Sequence, residues 1–269
     1  YKENFSPDYA GAVSLSVNDI NNKSKYKKDV TIFGNILNKN YLSKSYTNVP
    51  LSKKIFQSKS KIYVNSFINL QKKKLPELIE IHNRPNYIKS ISENLNVKLH
   101  LYFHNDPLDM NGSKSVKERI FLLNKVDHII FNSIWCRSKF FIDINIKRYQ
   151  NKTSVIYQSS SKVKIDFNKK KKIISFVGKL NKAKGYDVFT TAIKKILNKY
   201  NDWNAVVFGD EPREQIKLNH KNVKVYGFKK NSYILNYLKK VSISVICSRW
   251  EEPFGRASLE AASRGSAVI

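Results

Sequence analysis

Apolar residues fall into short runs that alternate with helical spacing along most of the chain. Val97–Phe103 and Asp127–Ser133 read as strands, as do Asp29–Gly34, Glu77–Ile81 and Lys152–Gln158. Between them, Ile62–Leu70, Asn86–Asn94, Ser113–Val126 and Ile134–Ile142 carry helical periodicity. Ser115 with Glu118 forms a capping-box pattern, and Ser133 is placed as an N-cap. Pro85 suits a first helical turn. The stretch Lys39–Ser60 is polar with weak period and yields no element. Ser159–Lys172 is rich in Ser and Lys without apolar period, so a boundary is expected there, with domains at 1–160 and 161–269. The pattern resumes with strand Ile173–Val177, helix Tyr186–Tyr200, strands Trp203–Phe208 and Asn222–Tyr226, helix Tyr233–Val241 and strand Ile243–Cys247. A helix over Ala257–Arg264, ended by Gly265, and a strand at Ala267–Ile269 complete it. Strands alternating with helices on both sides of a polar linker predict an α/β protein with two Rossmann-like domains and parallel sheets.

Chemistry is expected at the carboxyl ends of those strands, where ligands bind open parallel sheets. The densest candidate is Ser248–Glu260. Glu252 lies just before the helix start at Gly255 or Arg256, and Glu260 lies about one turn inside it. Unpaired N–H groups at that start form an anion site. A ligand with phosphates in the middle and hydroxyls at both ends suits two carboxylates so placed. A solubilising Glu and a Glu interacting with the helix dipole are the alternative, and spacing alone leaves both open.

Composition narrows the picture. Hydrophobic residues make up 41% of 269 residues, enough for packed cores, and no run is long enough to span a membrane. Cys136 and Cys247 lie far apart in apolar segments and read as buried free thiols of a reducing cytoplasm. The net charge of +28 would ordinarily point to nucleic acid or an anionic membrane. Here Lys dominates the 49 basic residues and is scattered, apart from Lys169–Lys172, and no nucleic-acid motif accompanies it. Peripheral contact with an anionic membrane stays open; a nucleic-acid partner is not expected. The chain opens without Met and closes on a strand, so a fragment truncated at both ends is expected.

Glu252-x7-Glu260, with Phe254-Gly255 between, resembles the two-glutamate motif of retaining GT-B glycosyltransferases, above all family GT4. Gly178-Lys179-Leu180 through Lys184-Gly185 is similar to that family's basic segment after a strand, with Lys179 where Arg is usual. His104, at the end of Val97–Phe103, resembles the histidine that contacts the donor sugar. Ser6–Ala12, with Gly11, resembles the glycine loop of the amino-terminal domain, although Ala10 replaces one glycine. Gly227-Phe228 matches the segment around the nucleotide base, for which simple packing of Phe228 is the alternative. The resemblance covers most of the chain and is sharpest over 173–269.

It implies transfer of a sugar from a UDP- or GDP-linked donor to a glycan, lipid-linked or other hydroxyl acceptor, with retention, across a cleft between two domains. No cofactor or metal is implied. His104, Lys179, Lys184 and Glu252 would be the catalytic set. Gly11, Gly178, Gly227, Phe228, Phe254, Gly255, Arg256 and Glu260 would bind the donor, Glu260 at the ribose and Glu252 at the sugar. His82-Asn83-Arg84 at the end of Glu77–Ile81 adds polar groups to the same kind of edge, and Arg84 could hold a phosphate. An inactive nucleotide-sugar-binding protein is the alternative function. A cytoplasmic location, at most peripheral at the inner face of a membrane, is expected.

Overall fold

The computed structural model describes residues 4–36, 40–51 and 57–269. They form two compact units, residues 1–158 and 159–269, each with its own parallel sheet.

The first unit opens with α1 (Ala12–Lys23), β1 (Ile32–Gly34), β2 (Tyr46–Asn48) and α2 (Lys59–Lys73). β1 and β2 pair in parallel, and Phe5, Ile36 and Tyr46 form a small apolar cluster beside them. β2 falls in the stretch that yielded no element, part of which lies outside the described residues. Three residues are too few to display a period. α2 starts at Ser58, whose hydroxyl accepts from the Lys61 N–H.

The main sheet of this unit contains β3 (Leu78–His82), β4 (Lys98–Phe103), β5 (His128–Phe131) and β6 (Thr153–Val155), in that spatial order. The connecting helices are α3 (Ile88–Asn94), α4 (Val116–Lys125) and α5 (Ile134–Phe140). Pro85 opens a single 3-10 turn before α3. The expected capping box on α4 is present, and Ser133 caps α5 by accepting from the Cys136 N–H at 3.0 Å. Leu101, Phe103, Ile129, Phe131 and Phe140 fill the core beneath the sheet.

The second unit is built from β7 (Lys171–Val177), α6 (Tyr186–Lys199), β8 (Asn204–Phe208), β9 (Val223–Val225), α7 (Asn231–Leu238), β10 (Val241–Val245), α8 (Arg256–Ala262) and β11 (Ala267–Val268). α6 buries Tyr186, Phe189, Thr190, Ile193 and Leu197, the single stripe its period predicts. The end of α7 differs from expectation. α7 ends at Leu238, and Val241 already belongs to β10, paired with Lys171 of β7. An apolar Val three residues after Leu238 satisfies the helical period and the strand equally, and the ladder decides.

The strand order β11-β10-β7-β8-β9 positions the site. From β7 the chain moves outward through β8 and β9, then returns to the other side of β7 as β10. All pairings are parallel. The loops after β7 and β10 therefore leave the same edge on either side of a topological switch point, the usual ligand crevice of such sheets.

Candidate functional site

The loop after β7 holds Gly178 to Gly185, and the loop after β10 holds Ile246 to Gly255. Gly185 joins them. It is the N-cap of α6 in the left-handed region (φ 70°), and an added Cβ would lie 1.8 Å from the carbonyl oxygen of Cys247. Only glycine permits that approach. The contact is reinforced by Arg249, whose N–H donates to the Ala183 carbonyl at 2.9 Å. Its guanidinium grips both Asp187 oxygens at 2.9 and 2.7 Å.

This staple brings together two of the expected residues 68 positions apart. The Lys184 ammonium bonds Glu252 and sits 4.8 Å from the Trp250 ring centroid. Ser248 donates to the same carboxylate oxygen at 2.6 Å. Burial works against the Glu252 charge, but hydrogen bonds from Lys184 and Ser248 and the lysine's charge outweigh it, so the carboxyl is held below its ordinary range.

Glu260 is buried in α8. Its Oε1 accepts from Arg256 Nε at 2.8 Å, one turn earlier, and from Asn231 Nδ2 at 3.1 Å at the start of α7. Gly255 caps α8 in the left-handed region (φ 82°) without a side-chain cap, and Phe254 is half-buried before it. α8 has seven residues, shorter than expected.

Lys179 is exposed beside Gly178 at the end of β7, and its charge helps hold Glu211 low, after the dominant hydrogen bond from Arg213. Gly178 N–H donates to the Phe208 carbonyl at 3.0 Å, and Gly209 N–H to that of Gly227, also at 3.0 Å, so the loops after β7, β8 and β9 are tied in sequence. Phe228 stands 40% exposed at this edge.

The first unit carries the remaining expected residues. His104 follows β4 and is 4% exposed, with its ring 4.2 Å from that of Tyr102. Asn83, at φ 53°, accepts the His104 N–H at 2.7 Å, and Asn132 donates to the His104 carbonyl at 2.8 Å. His104 Nε2 lies 2.9 Å from His82 Nδ1, and its Nδ1 lies 3.5 Å from Gln158 Nε2. Burial, then the charge of His82, pushes the His104 imidazolium well below the ordinary range, so the ring is neutral. Arg84 donates to the Asn83 carbonyl at 2.6 Å. Asp106 caps the next turn, accepting from the Leu108 N–H at 2.9 Å. Gly11 precedes α1 with an extended backbone open to any residue. Cys136 is fully buried; Cys247 is only half-buried, a departure from expectation.

Sequence reasoning missed Ser248, Asn231 and the Arg249–Asp187 pair. Ser248 and Arg249 stood at the start of the motif stretch without a role assigned to either.

Residues 158–269 match the family model described as Glycosyl transferases group 1. The second unit belongs to that family. Among curated relatives, an uncharacterized 41.2 kDa protein in the cps region of Klebsiella pneumoniae is 32% identical over 165 residues, 56% of this chain and 44% of the relative. A 2-deoxystreptamine N-acetyl-D-glucosaminyltransferase of Niallia circulans is 32% identical over 106 residues, 37% of this chain and 27% of the relative. The chain thus spans less than half the length of either. Among solved structures, Anabaena HepE in complex with UDP and glucose superposes with a TM-score of 0.69 at 17% identity, over 99% of this chain and 78% of HepE. Sucrose-phosphate synthase of Thermosynechococcus elongatus gives 0.70 at 14% identity, over 98% and 78%. The group 1 unit and its amino-terminal partner thus have the GT-B fold.

Proposed function

We propose that this protein is a retaining glycosyltransferase of the GT4 kind. It moves a sugar from a UDP- or GDP-linked donor to a hydroxyl of a glycan, lipid-linked or other acceptor in glycoconjugate synthesis. The observation that carries this reading is the meeting of Lys184 with Glu252 at the switch point of the group 1 unit, on the loop that leads to Gly255 and the helix bearing Glu260. The printed activity of the Niallia relative and the UDP and glucose in HepE support it.

In this reading the diphosphate binds at the carboxyl end of β7. Lys179 and Lys184 supply fixed positive charge to the leaving group, the task a metal ion would otherwise perform. Lys grips as a point charge rather than as the bidentate fork of Arg. Glu260, oriented in advance by Arg256 and Asn231, accepts from the ribose hydroxyls. Glu252 accepts from hydroxyls of the sugar, alongside the backbone of Phe254 and Gly255. The base lies near Gly227 and exposed Phe228. Gly178 permits close approach of the phosphates, and His104 and Gly11 act from the first unit.

No described helix is long and apolar enough to cross a membrane. The charge of +28 supports peripheral attachment to an anionic surface at the cytoplasmic face. A nucleotide-sugar-binding protein without turnover is the second reading.

The test uses the full-length protein. UDP or GDP at about 100 times its Kd should stabilise the group 1 unit by about 2.7 kcal/mol. Glu260→Gln and Glu260→Ala should weaken nucleotide binding by roughly 10- to 100-fold, the loss of a charged hydrogen bond. Lys184→Ala should lower turnover far more than the small loss of unfolding midpoint expected from unpairing half-buried Glu252. Parent-rate transfer by the Glu260 and Lys184 variants overturns the site; nucleotide-sugar binding without transfer by the parent selects the second reading.

A further inference from the structure

β3 and β4 place an unusual series of polar groups on one sheet face. Their register sets Glu80 opposite His100 and His82 opposite Tyr102. With strand period two, Glu80 and His82 share a face with His100, Tyr102 and His104. The side chains join. Glu80 Oε1 lies 3.0 Å from His82 Nε2, and His82 Nδ1 lies 2.9 Å from His104 Nε2. The rings of His82, Tyr102 and His104 stack at centroid distances of 4.2 to 5.4 Å, which fixes their planes.

We propose that Glu80 and His82 are positioning residues that set the tautomer of His104, and that protonation of His82 reverses that tautomer without charging His104. The proposal rests on the reading of His104 as a sugar contact only for its effect on rate. A carboxylate can only accept, so His82 Nε2 carries a proton. In neutral His82, Nδ1 is then an acceptor, and His104 must donate from Nε2. His104 Nδ1 is left as a lone pair, able to accept from a sugar hydroxyl. When His82 gains a proton, its Nδ1–H donates instead. His104 Nε2 becomes the acceptor, and the proton of neutral His104 moves to Nδ1, which now donates. One proton enters, and the nitrogen on the Gln158 side changes from acceptor to donor.

Gln158 suits both states. Its amide nitrogen lies 3.5 Å from His104 Nδ1, and its Oε1 is buried without a hydrogen-bond partner. An amide rotation would turn that acceptor towards Nδ1–H. The added proton resides on His82, beside Glu80, because burial disfavours charge on His104. Burial opposes the Glu80 charge, but the bond and charge of His82 outweigh it and hold the carboxyl below its ordinary range. The other titratable or charged groups around the chain are His100 and Tyr102 on β4, His128 on β5, Arg84 and Asp106 in the loops, and Cys136 on α5.

The test is two-bond proton–nitrogen correlation on the full chain labelled with 15N-histidine. Its five histidines are assigned by single substitutions. At high pH His104 should show the Nε2–H tautomer; at low pH His82 should be doubly protonated and His104 neutral as Nδ1–H. His82→Phe keeps a ring against Tyr102 and should leave His104 a mixture of tautomers. It should lower kcat about tenfold, within the range of a misplaced proton-handling group, with KM little changed. Glu80→Gln keeps an acceptor oxygen but removes the charge, so the acid limb of the rate profile should move to lower pH. Nδ1–H at high pH, or an unchanged tautomer in His82→Phe, overturns the proposal. If the tautomers behave as stated while His104→Ala transfers sugar at the parent rate, the relay stands and the sugar contact falls.

Discussion

Gly185 and Gly227 offer a matched measurement of what the loop contact at the switch point is worth. Both sit in the left-handed region, at φ 70° and 67°. A Cβ on Gly227 would meet nothing within 4 Å, whereas one on Gly185 would lie 1.8 Å from the Cys247 carbonyl oxygen. Gly227→Ala should therefore cost the backbone term alone, about 1–2 kcal/mol. Gly185→Ala adds displacement of the loop after β10 by roughly 1 Å or more to reach even a compressed contact. Overpacking of that kind costs about 1–3 kcal/mol, which brings the total to about 2–5. The displacement also pulls Arg249 from Ala183 and Asp187, and Glu252 from Lys184. Thermal unfolding would be followed by tryptophan fluorescence in a Trp135→Phe background. Trp203 and Trp250, both in the second unit, then report. At about 4 °C per kcal/mol for a unit of this size, Gly227→Ala should lower the midpoint by about 4–8 °C and Gly185→Ala by markedly more. Nucleotide affinity should fall sharply in Gly185→Ala. Equal midpoints for the two variants would refute the steric account of how the loops are held together.

Two further outcomes follow from the same geometry. Ser115→Ala removes half of the capping box on α4, where Ser115 accepts from the Glu118 N–H at 3.2 Å and the Ser115 N–H donates back at 2.9 Å. It should cost about 1 kcal/mol in denaturant unfolding of the first unit and leave nucleotide binding unchanged. Glu252 has a carboxyl held below its ordinary value of 4.5. A depressed carboxylate contributes stability that is complete above the unfolded value and is lost as pH falls through the lower folded one. The midpoint difference between the parent and Glu252→Gln should be largest at neutral pH and shrink below pH 4.5; a difference independent of pH would show that Glu252 is not paired in this way.

Much of the architecture was readable because the two periods differ. Strands β3, β4, β5, β7 and β8 are apolar runs bounded by turn residues, and α6 shows one unbroken stripe. Where a residue fits both periods, as Val241 does, spacing cannot decide and a ladder partner 70 positions away does. β2 is too short to announce itself. In the site, Glu252 and Lys184 were legible from their own loops, since each follows a strand and precedes a helix. Arg249 with Asp187, and Asn231 with Glu260, were not, because a charge on a Lys-rich chain carries no mark of its partner. The Glu80–His82–His104 series did leave a signal: polar groups at alternate positions of two apolar strands, which is costly unless they meet.

The order of strands explains why these long-range pairs fall where they do. Each loop after a parallel strand issues at the same edge, so the chain need specify only which strands are neighbours. β7 and β10 become neighbours when the chain returns past its starting strand, and that single event sets Lys184 against Glu252 across 68 residues. Local features then fix the distance: a glycine that admits a carbonyl, and an arginine that reaches back to the first turn of α6. Substituting those two positions should uncouple the loops while leaving β7 and β10 paired. Hydrogen exchange would therefore show fast amides in 178–185 and 246–255 and protected ones in the strands. Loss of protection in the strands as well would mean that the loop contact supports the sheet, and not the reverse.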